Sequence, residues 1–452
     1  MKSLILDKKI PPLRDGKFND KSTDVLLPFR YKDENSSHLI SRWSLVQKCL
    51  LMLTISCCLM LTSCNGSGGG SAGGGIDGTG IMSSGAVSAF GSIIVNGTEF
   101  DTSDADIIIN GEKIGEGDDV VRDNLNIGQI VTVEGRISAD GNSTIADRVI
   151  YTNNVAGLVE NITSIDDTTK EIVVLGQTVI VNVITKFEPV TYTFDSIAID
   201  DVVEVSGYLD DNRVIRATFI ENIMNIVEFD VTGFIENLVS NSKTFQINDL
   251  TVNYSRMDSS DLPEDFRNEL FVEVGGVLDE LSGELIATAI ELADESDSDE
   301  VDDFEIMGFV TEIISENDII KFKVGNQEVH ADADPDIVAY VDGDPSDIVL
   351  GQKLEAEGSL VDGILIADEV EFWEPDQIEI EGIVDEVVFI GEFPEFTFKE
   401  RDDQVFLTNE DTEFEDVAKE DIEVGIMLEV KGVPQDIDQI VIQADKVTLE
   451  LE

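Results

Sequence analysis

Cysteine is confined to one end of this 452-residue sequence: Cys49, Cys57, Cys58 and Cys64 are all there are. Whatever lies beyond Cys64 has no disulfide framework, no thiolate metal site and no cysteine nucleophile. Histidine is almost as scarce, with only His38 and His330. A Ser/His/Asp triad or a His-ligated zinc would have to rest on His330 alone once the N-terminal part is set aside, and His330 reads as a surface residue in a strand. Positive charge is the third shortage. Lys and Arg number 29 against 94 Asp and Glu, a net charge of −65 at pH 7. The first 64 residues hold ten Lys/Arg and six Asp/Glu, so the remainder is four charges more negative still. Such a field repels nucleic acid and anionic headgroups, attracts cations, and keeps the chain soluble by self-repulsion. No nucleic-acid partner is expected. The composition also suits a high-salt medium, where screening shortens the repulsion to roughly 3 Å.

Long apolar runs are rare too, and the main one has an address written in it. Leu45–Ser63 reads LVQKCLLMLTISCCLMLTS, with Arg42 and Lys48 at its front edge. A short apolar core behind positive charge is the pattern of an export signal. It ends in Leu61-Thr62-Ser63-Cys64, which resembles the lipobox of bacterial lipoproteins and implies Cys64 as the lipidated mature N-terminus. A single transmembrane helix is the alternative, since spanning needs about 20 apolar residues. The Gly/Ser-rich stretch that follows, without a positively charged flank, favours the lipoprotein. Met1–His38 is polar and foreign to an ordinary signal peptide, so translation starts later or the signal is unusually long. Asn65 is not the Asp that commonly retains lipoproteins at the inner membrane, which favours the outer one. Residues 1–64 are thus extension and signal peptide, and residues 65–84 a flexible Gly/Ser tether.

Beyond the tether, short runs rich in Val, Ile, Phe and Thr alternate apolar with polar and break at Gly, Asn and Asp. Ile130–Ile137, Asp201–Leu209 and Phe245–Tyr254 all have the period of two that marks strands, and several close as hairpins on Asn-Gly or Asp-Gly. Helical turns are expected only around Asp261–Asn268 or Asp416–Glu420. The same landmarks recur five times in order. A strand of the form G-x-V-x-x-I opens each unit at Gly85, Gly157, Gly233, Gly308 and Gly382. An alternating strand later ends at Gly135, Gly207, Gly276, Gly358 and Gly432. About ten residues on, an IxAxxI strand centres on Ala146, Ala217, Ala287, Ala367 and Ala444. The modules expected are 85–153, 154–226, 227–293, 304–375 and 376–452, with 294–303 (DESDSDEVDD) a solvated acidic linker. Five or six strands with a helical turn before the fourth is the count of a small Greek-key barrel of OB type. An SH3-like barrel or a small sandwich would read much the same, so the class is all-β with the barrel type open.

The Gly-rich tether, GAVSAFGSIIVNGTEFDTSDADIIINGE, NIGQIVTVEGRI and IADRVIY together resemble the bacterial DUF5666 family. The resemblance is closest over Gly85–Tyr151. It implies an exported protein of repeated β modules and brings no activity and no catalytic residues.

Acidic clusters are the only visible candidates for chemistry. Calcium takes six to eight oxygen ligands from closely spaced carboxylates and carbonyls. Asp332-x-Asp334-x-Asp336 begins like such a loop, with Asp342 and Asp344 following, and these five residues are the candidate calcium ligands. Ile337 stands where an EF-hand loop has glycine. No catalytic residue and no other cofactor is expected. Trp373, at the end of the fourth module, reads as a cap on its barrel or a contact with the fifth. The expected role is non-catalytic: a lipid-anchored surface protein with a binding or structural function, its partners being the membrane through its anchor and a polysaccharide or protein. A solute-binding protein or a hydrolase using carboxylates in a cleft between modules is the alternative.

Overall fold

The computed structural model describes residues 80–90, 92–138, 140–223, 228–279, 281–293, 300–399, 401–436 and 440–449. The signal, Cys64, His38 and the tether up to residue 79 lie outside the described residues. Among the described residues no helix is long and apolar enough to cross a membrane.

Five barrels of one design follow one another. In the second, Val155–Ser164 pairs antiparallel with both Lys170–Val174 and Val202–Leu209. Lys170–Val174 pairs antiparallel with Gln177–Val181. That third strand, continued as Lys186–Glu188, runs parallel to the fifth, Ile215–Asn222, which pairs antiparallel with the fourth. The ladder order is therefore 1-2-3-5-4 and back to 1, a closed OB-type barrel, and closure removes most of the edges a sheet would otherwise expose. The other four repeat this order, with first strands Gly80–Phe90, Phe229–Phe234 (continued as Glu236–Val239), Glu300–Glu316 and Ile378–Ile390. Alternate apolar side chains fill each barrel: Val203, Val205, Ile215 and Ala217 in the second, Val430, Ile442 and Ala444 in the fifth.

The recurring glycine of the fourth strand has a steric cause. In all five modules the register with the fifth strand slips by one residue at this glycine, a β-bulge. A Cβ added at Gly135, Gly207, Gly276, Gly358 or Gly432 would stand under 3.0 Å from the carbonyl oxygen of Ile145, Arg216, Ile286, Ile366 or Gln443 respectively. Only glycine lets the two backbones approach so closely at the kink.

Two short ladders join the barrels sideways. Ile81–Ser84 of the first strand of module 1 pairs in parallel with Asp303–Ile306 of module 4. Val155 and Ala156 of module 2 pair antiparallel with Val231 and Asp230 of module 3. The apolar cores follow these joints: modules 2 and 3 share one cluster running from Val155 to Ile290, and Met82 of module 1 belongs to the core of module 4. Module 5 stands in a six-stranded sheet of its own.

Two boundaries differ from expectation. Gly80–Ser84 was expected to end the tether and instead forms the start of module 1's first strand. Glu300–Asp303 was expected to end an acidic linker and instead opens the first strand of module 4. Both lie against the fourth strand of their own barrel, Gly80–Ser84 against Thr132–Arg136 and Glu300 and Val301 against Val361 and Leu360, so tertiary pairing rather than local pattern makes them strand. The helical turns precede the fourth strand as the barrel design requires, at Phe194–Ser196, Ser259–Asp261, Pro345–Asp347 and Lys419–Asp421. In module 1 the turn is a full helix, Asp118–Asn124, which the sequence pattern did not reveal because only Val121 of its seven residues is buried. Asp118 and Asp119 in its first turn and Arg122 in its last suit the helix dipole.

The neighbouring glycines of module 3 give a direct test of the bulge. A Cβ on Gly275 would meet nothing nearer than Asp230 Oδ1 at 3.3 Å, whereas on Gly276 it would meet the Ile286 carbonyl at 2.6 Å. Gly276→Ala should lower stability by about 1–3 kcal/mol, and Gly275→Ala should stay within about 0.5 kcal/mol of wild type. Equal losses in urea titrations of the two variants would refute this account of the glycine.

Candidate functional site

The aspartates singled out as calcium ligands do not converge. Asp332 Oδ1 accepts the N–H of Asp334 at 2.9 Å, and Asp334 Oδ1 accepts that of Asp336 at 3.1 Å. Two consecutive Asx turns thus direct those carboxylates at their own backbone. The carbonyl of Asp332 accepts the Tyr340 hydroxyl at 2.7 Å. Asp344 caps the turn Pro345–Asp347, and Asp347 Oδ2 accepts its N–H at 2.9 Å. Asp342 stands at φ 58° in the turn before it. Among the described residues, no three His, Cys, Asp or Glu side chains are grouped so as to hold a metal ion. His330 lies in the strand Gln327–Asp332, its Nε2 2.7 Å from Glu328 Oε1. It is half-buried rather than on the surface.

The densest assembly of ionisable groups lies instead where module 5 meets module 4. Lys353, Glu355 and Glu371 project from the outer face of module 4, and Glu379 and Lys431 from module 5. Lys431 pairs closely with Glu371 and stands 3.8 Å from Glu379. Lys353 Nζ donates to the Gln377 carbonyl at 3.0 Å. The two ammonium groups sit over the ring of Trp373, Lys431 at 4.3 Å and Lys353 at 5.2 Å from its centroid, a cation–π arrangement. Trp373 is 4% exposed and its Nε1 has no hydrogen-bond partner. The tryptophan therefore packs between modules 4 and 5, as the sequence suggested it could.

Burial dominates the acid–base behaviour here. Loss of water pushes Glu305 up to about 7, and Ser83 of module 1 donates to its Oε2 at 3.2 Å. Burial raises Glu355 well above the carboxylate range, helped by the hydrogen bond and charge of Glu305. Glu379 is pushed up to about 8 by burial first and then by the charge of Glu429. Burial draws Lys353 down to about 8, against the pull of Asp376 and Glu355. Two carboxyl groups sharing a hydrogen bond must keep one proton between them. The sequence reading missed this cluster. Its signal was lysine inside a strand alternation of glutamates, KLEAEG at Lys353–Gly358 and LEVKG at Leu428–Gly432, in a chain with few lysines.

A second feature is a cavity of about 280 Å³ walled by modules 1 to 4. None of its lining residues is charged, although 27% of the chain is. Ser84, Asn154 and Asn326 face it beside Phe271 and Phe304, and Asn153, 1% exposed with Nδ2 unpartnered, lies in its wall.

The family model described as "Domain of unknown function (DUF5666)" matches residues 79–149, 161–221, 232–291, 307–371 and 381–448. The chain belongs to the DUF5666 family. Each match covers one barrel, so a DUF5666 domain here is one OB-type module. No curated protein matches the chain in sequence. Among solved structures it is similar to "drosophila Unr CSD456", at 13% identity and a TM-score of 0.12, over 51% of this chain and 99% of that one. Cold-shock domains are common RNA-binding modules, so the expectation that nucleic acid is excluded as a partner is withdrawn. At that TM-score the likeness argues for no partner of the DUF5666 chain.

With the Asp332 and Asp334 carboxylates engaged by backbone N–H groups, millimolar calcium should raise the melting temperature no more than magnesium at equal ionic strength. A calcium-specific, chelator-reversible rise would restore the aspartate loop as a site.

Proposed function

We propose that this DUF5666 chain is a lipid-anchored, non-catalytic protein of the cell envelope, held through Cys64, whose barrels form a stiff binding or structural array. The observation that carries the reading is the sideways joining of the barrels. A string of independent modules would be linked by flexible segments alone. Here module 1 is laddered to module 4 and module 2 to module 3, with Met82 shared between one pair of cores and a single core spanning the other. Backbone ladders and shared cores resist bending far better than linkers do.

The non-catalytic part rests on where the reactive groups are. The strongly shifted carboxyls face one another and Lys431, and Lys353 lies over Trp373, whereas the cavity walled by modules 1 to 4 is lined by amides, hydroxyls and apolar groups that offer no general acid or base. That cavity favours a second reading, in which the array also holds a small uncharged solute. Its size lies just below the roughly 300–1,000 Å³ of small-molecule pockets.

Export and anchoring rest on the apolar run Leu45–Ser63 and on Leu61-Thr62-Ser63-Cys64, and Asn65 favours the outer membrane as destination. Expressed in a bacterium, the full chain should partition with membranes and incorporate labelled palmitate. Cys64→Ala should abolish the label and leave the chain at its full uncleaved length. A wild-type chain that stays in the membrane unlabelled and uncleaved would instead establish Leu45–Ser63 as a spanning helix.

A further inference from the structure

Module 5 is held differently from the other four. Its six strands form a separate sheet, and the contacts that seat it on module 4 are polar. They are the Lys431–Glu371 pair, Glu379 near Lys431, the Lys353 bond to the Gln377 carbonyl, and the two ammonium groups over Trp373. The connecting segment is tied by Gln377 Nε2 to Asp445 Oδ2 at 3.0 Å and by Asn182 Nδ2 of module 2 to Asp376 Oδ1 at 2.5 Å. An interface of this kind depends on how many of its charges are expressed, which a ladder or an apolar core does not.

We propose that module 5 is a charge-gated arm: it docks on module 4 while the carboxyl cluster around Lys353 and Lys431 keeps some of its protons, and swings away, uncovering Trp373, once the cluster is fully ionised. The groups concerned can be named from each side. From module 4 come Lys353, Glu355, Glu371 and, on the strand beside Glu355, Glu305 with Glu357 and Asp303 near it. From module 5 come Glu379, Glu429, Lys431 and Lys446, the last acting also on Glu371 and Asp342 of module 4, and from the connecting segment Asp376, which feels Arg216 of module 2. The cations are thus outnumbered by carboxyls, and the surplus negative charge is tolerated in the docked state while part of the cluster holds protons.

The direction with pH follows from linkage. Glu379, on the module 5 side of the seat, titrates at about 8 when docked and nearer the ordinary carboxylate value when the arm is away. Between about pH 4.3 and 8 the docked form therefore binds more protons, and docking weakens as pH rises. Each proton released weakens it by up to about tenfold per pH unit. Lys353 acts in the opposite sense. Drawn down to about 8 when docked, it binds fewer protons there than in the open form from about pH 8 to 10.4, so the weakening stops near pH 8.

The chain contains its own reporter, since Trp43 and Trp373 are its only tryptophans. In the full chain carrying Trp43→Phe, the emission of Trp373 should shift to the red as pH rises from 5 to 8 at constant ionic strength, and the shift should reverse on return to pH 5. Far-UV circular dichroism should stay unchanged, because the barrels themselves remain folded. Added Glu355→Gln and Glu379→Gln should suppress the shift, and Lys431→Met should produce the red-shifted emission already at pH 5. Two results would overturn the proposal. One is an emission constant over this range; the other is a shift equally large in the double glutamine variant, which would assign the change to the general charge of the molecule.

Discussion

Half of each first strand sets the problem that the rest of the molecule solves. In a barrel closed in the order 1-2-3-5-4, the second strand covers only the later part of the first. The earlier part has the fourth strand on one side and a row of backbone donors and acceptors on the other. Such an edge is costly to bury unpaired and hazardous to leave open. Modules 1 and 4 close theirs against each other, and so do modules 2 and 3. In each pair one edge brings carboxylates, Asp303 and Glu305 or Asp230, and the other brings none, being Ile81–Ser84 or Val155–Ala156. Like charges directly opposite would have opposed the pairing. In a protein so acidic, this choice decides which edges can meet.

Negative charge is otherwise spread over outward positions of the strands, where water and salt screen it. The exception is the seat of module 5, where carboxyls are brought together and partly dried. There the ordinary remedies are all present: burial that pushes Glu355 well up from the carboxylate range, neutralisation of Glu371 by Lys431, and an aromatic face beneath the lysines.

Much of this was legible in the sequence, and the two kinds of misreading have distinct causes. Alternation placed the strands, and the glycines after VEVxG marked their repeats, because both are consequences of local sterics. The strand count and the turn before the fourth strand pointed to an OB-type barrel without excluding an SH3-like barrel or a small sandwich, because these share strand number and differ in which strands meet. What could not be read were contacts made across long stretches of chain. Gly80–Ser84 looked like tether and Glu300–Asp303 like linker, and each is the start of a first strand that lies against the fourth strand of its own barrel. Neither has a pattern of its own; each is strand because the fourth strand of its barrel, far along the chain, is there to receive it. The aspartate loop raises a different difficulty. Asp332, Asp334 and Asp336 have the spacing of a ligand loop, but the same spacing makes consecutive Asx turns, and nothing in the residue types tells the two apart. The glutamates and lysines that do assemble are drawn from strands of two modules, so their meeting is a property of the fold alone.

The nesting of the two joints, with the pair of modules 2 and 3 enclosed by that of modules 1 and 4, bears on how such a chain is made and how it can change. Emerging from the ribosome or through a membrane in order, module 1 must keep its edge unsatisfied while more than two hundred residues follow, whereas module 2 waits for its neighbour only. Sequence changes between Asn222 and Glu300 that alter this spacing should therefore be felt in module 1. For the same reason modules cannot be lost or gained singly among the first four without stranding an edge. They are constrained to come and go as pairs, and the fifth, which owes no edge to any other, is the one free to vary in number.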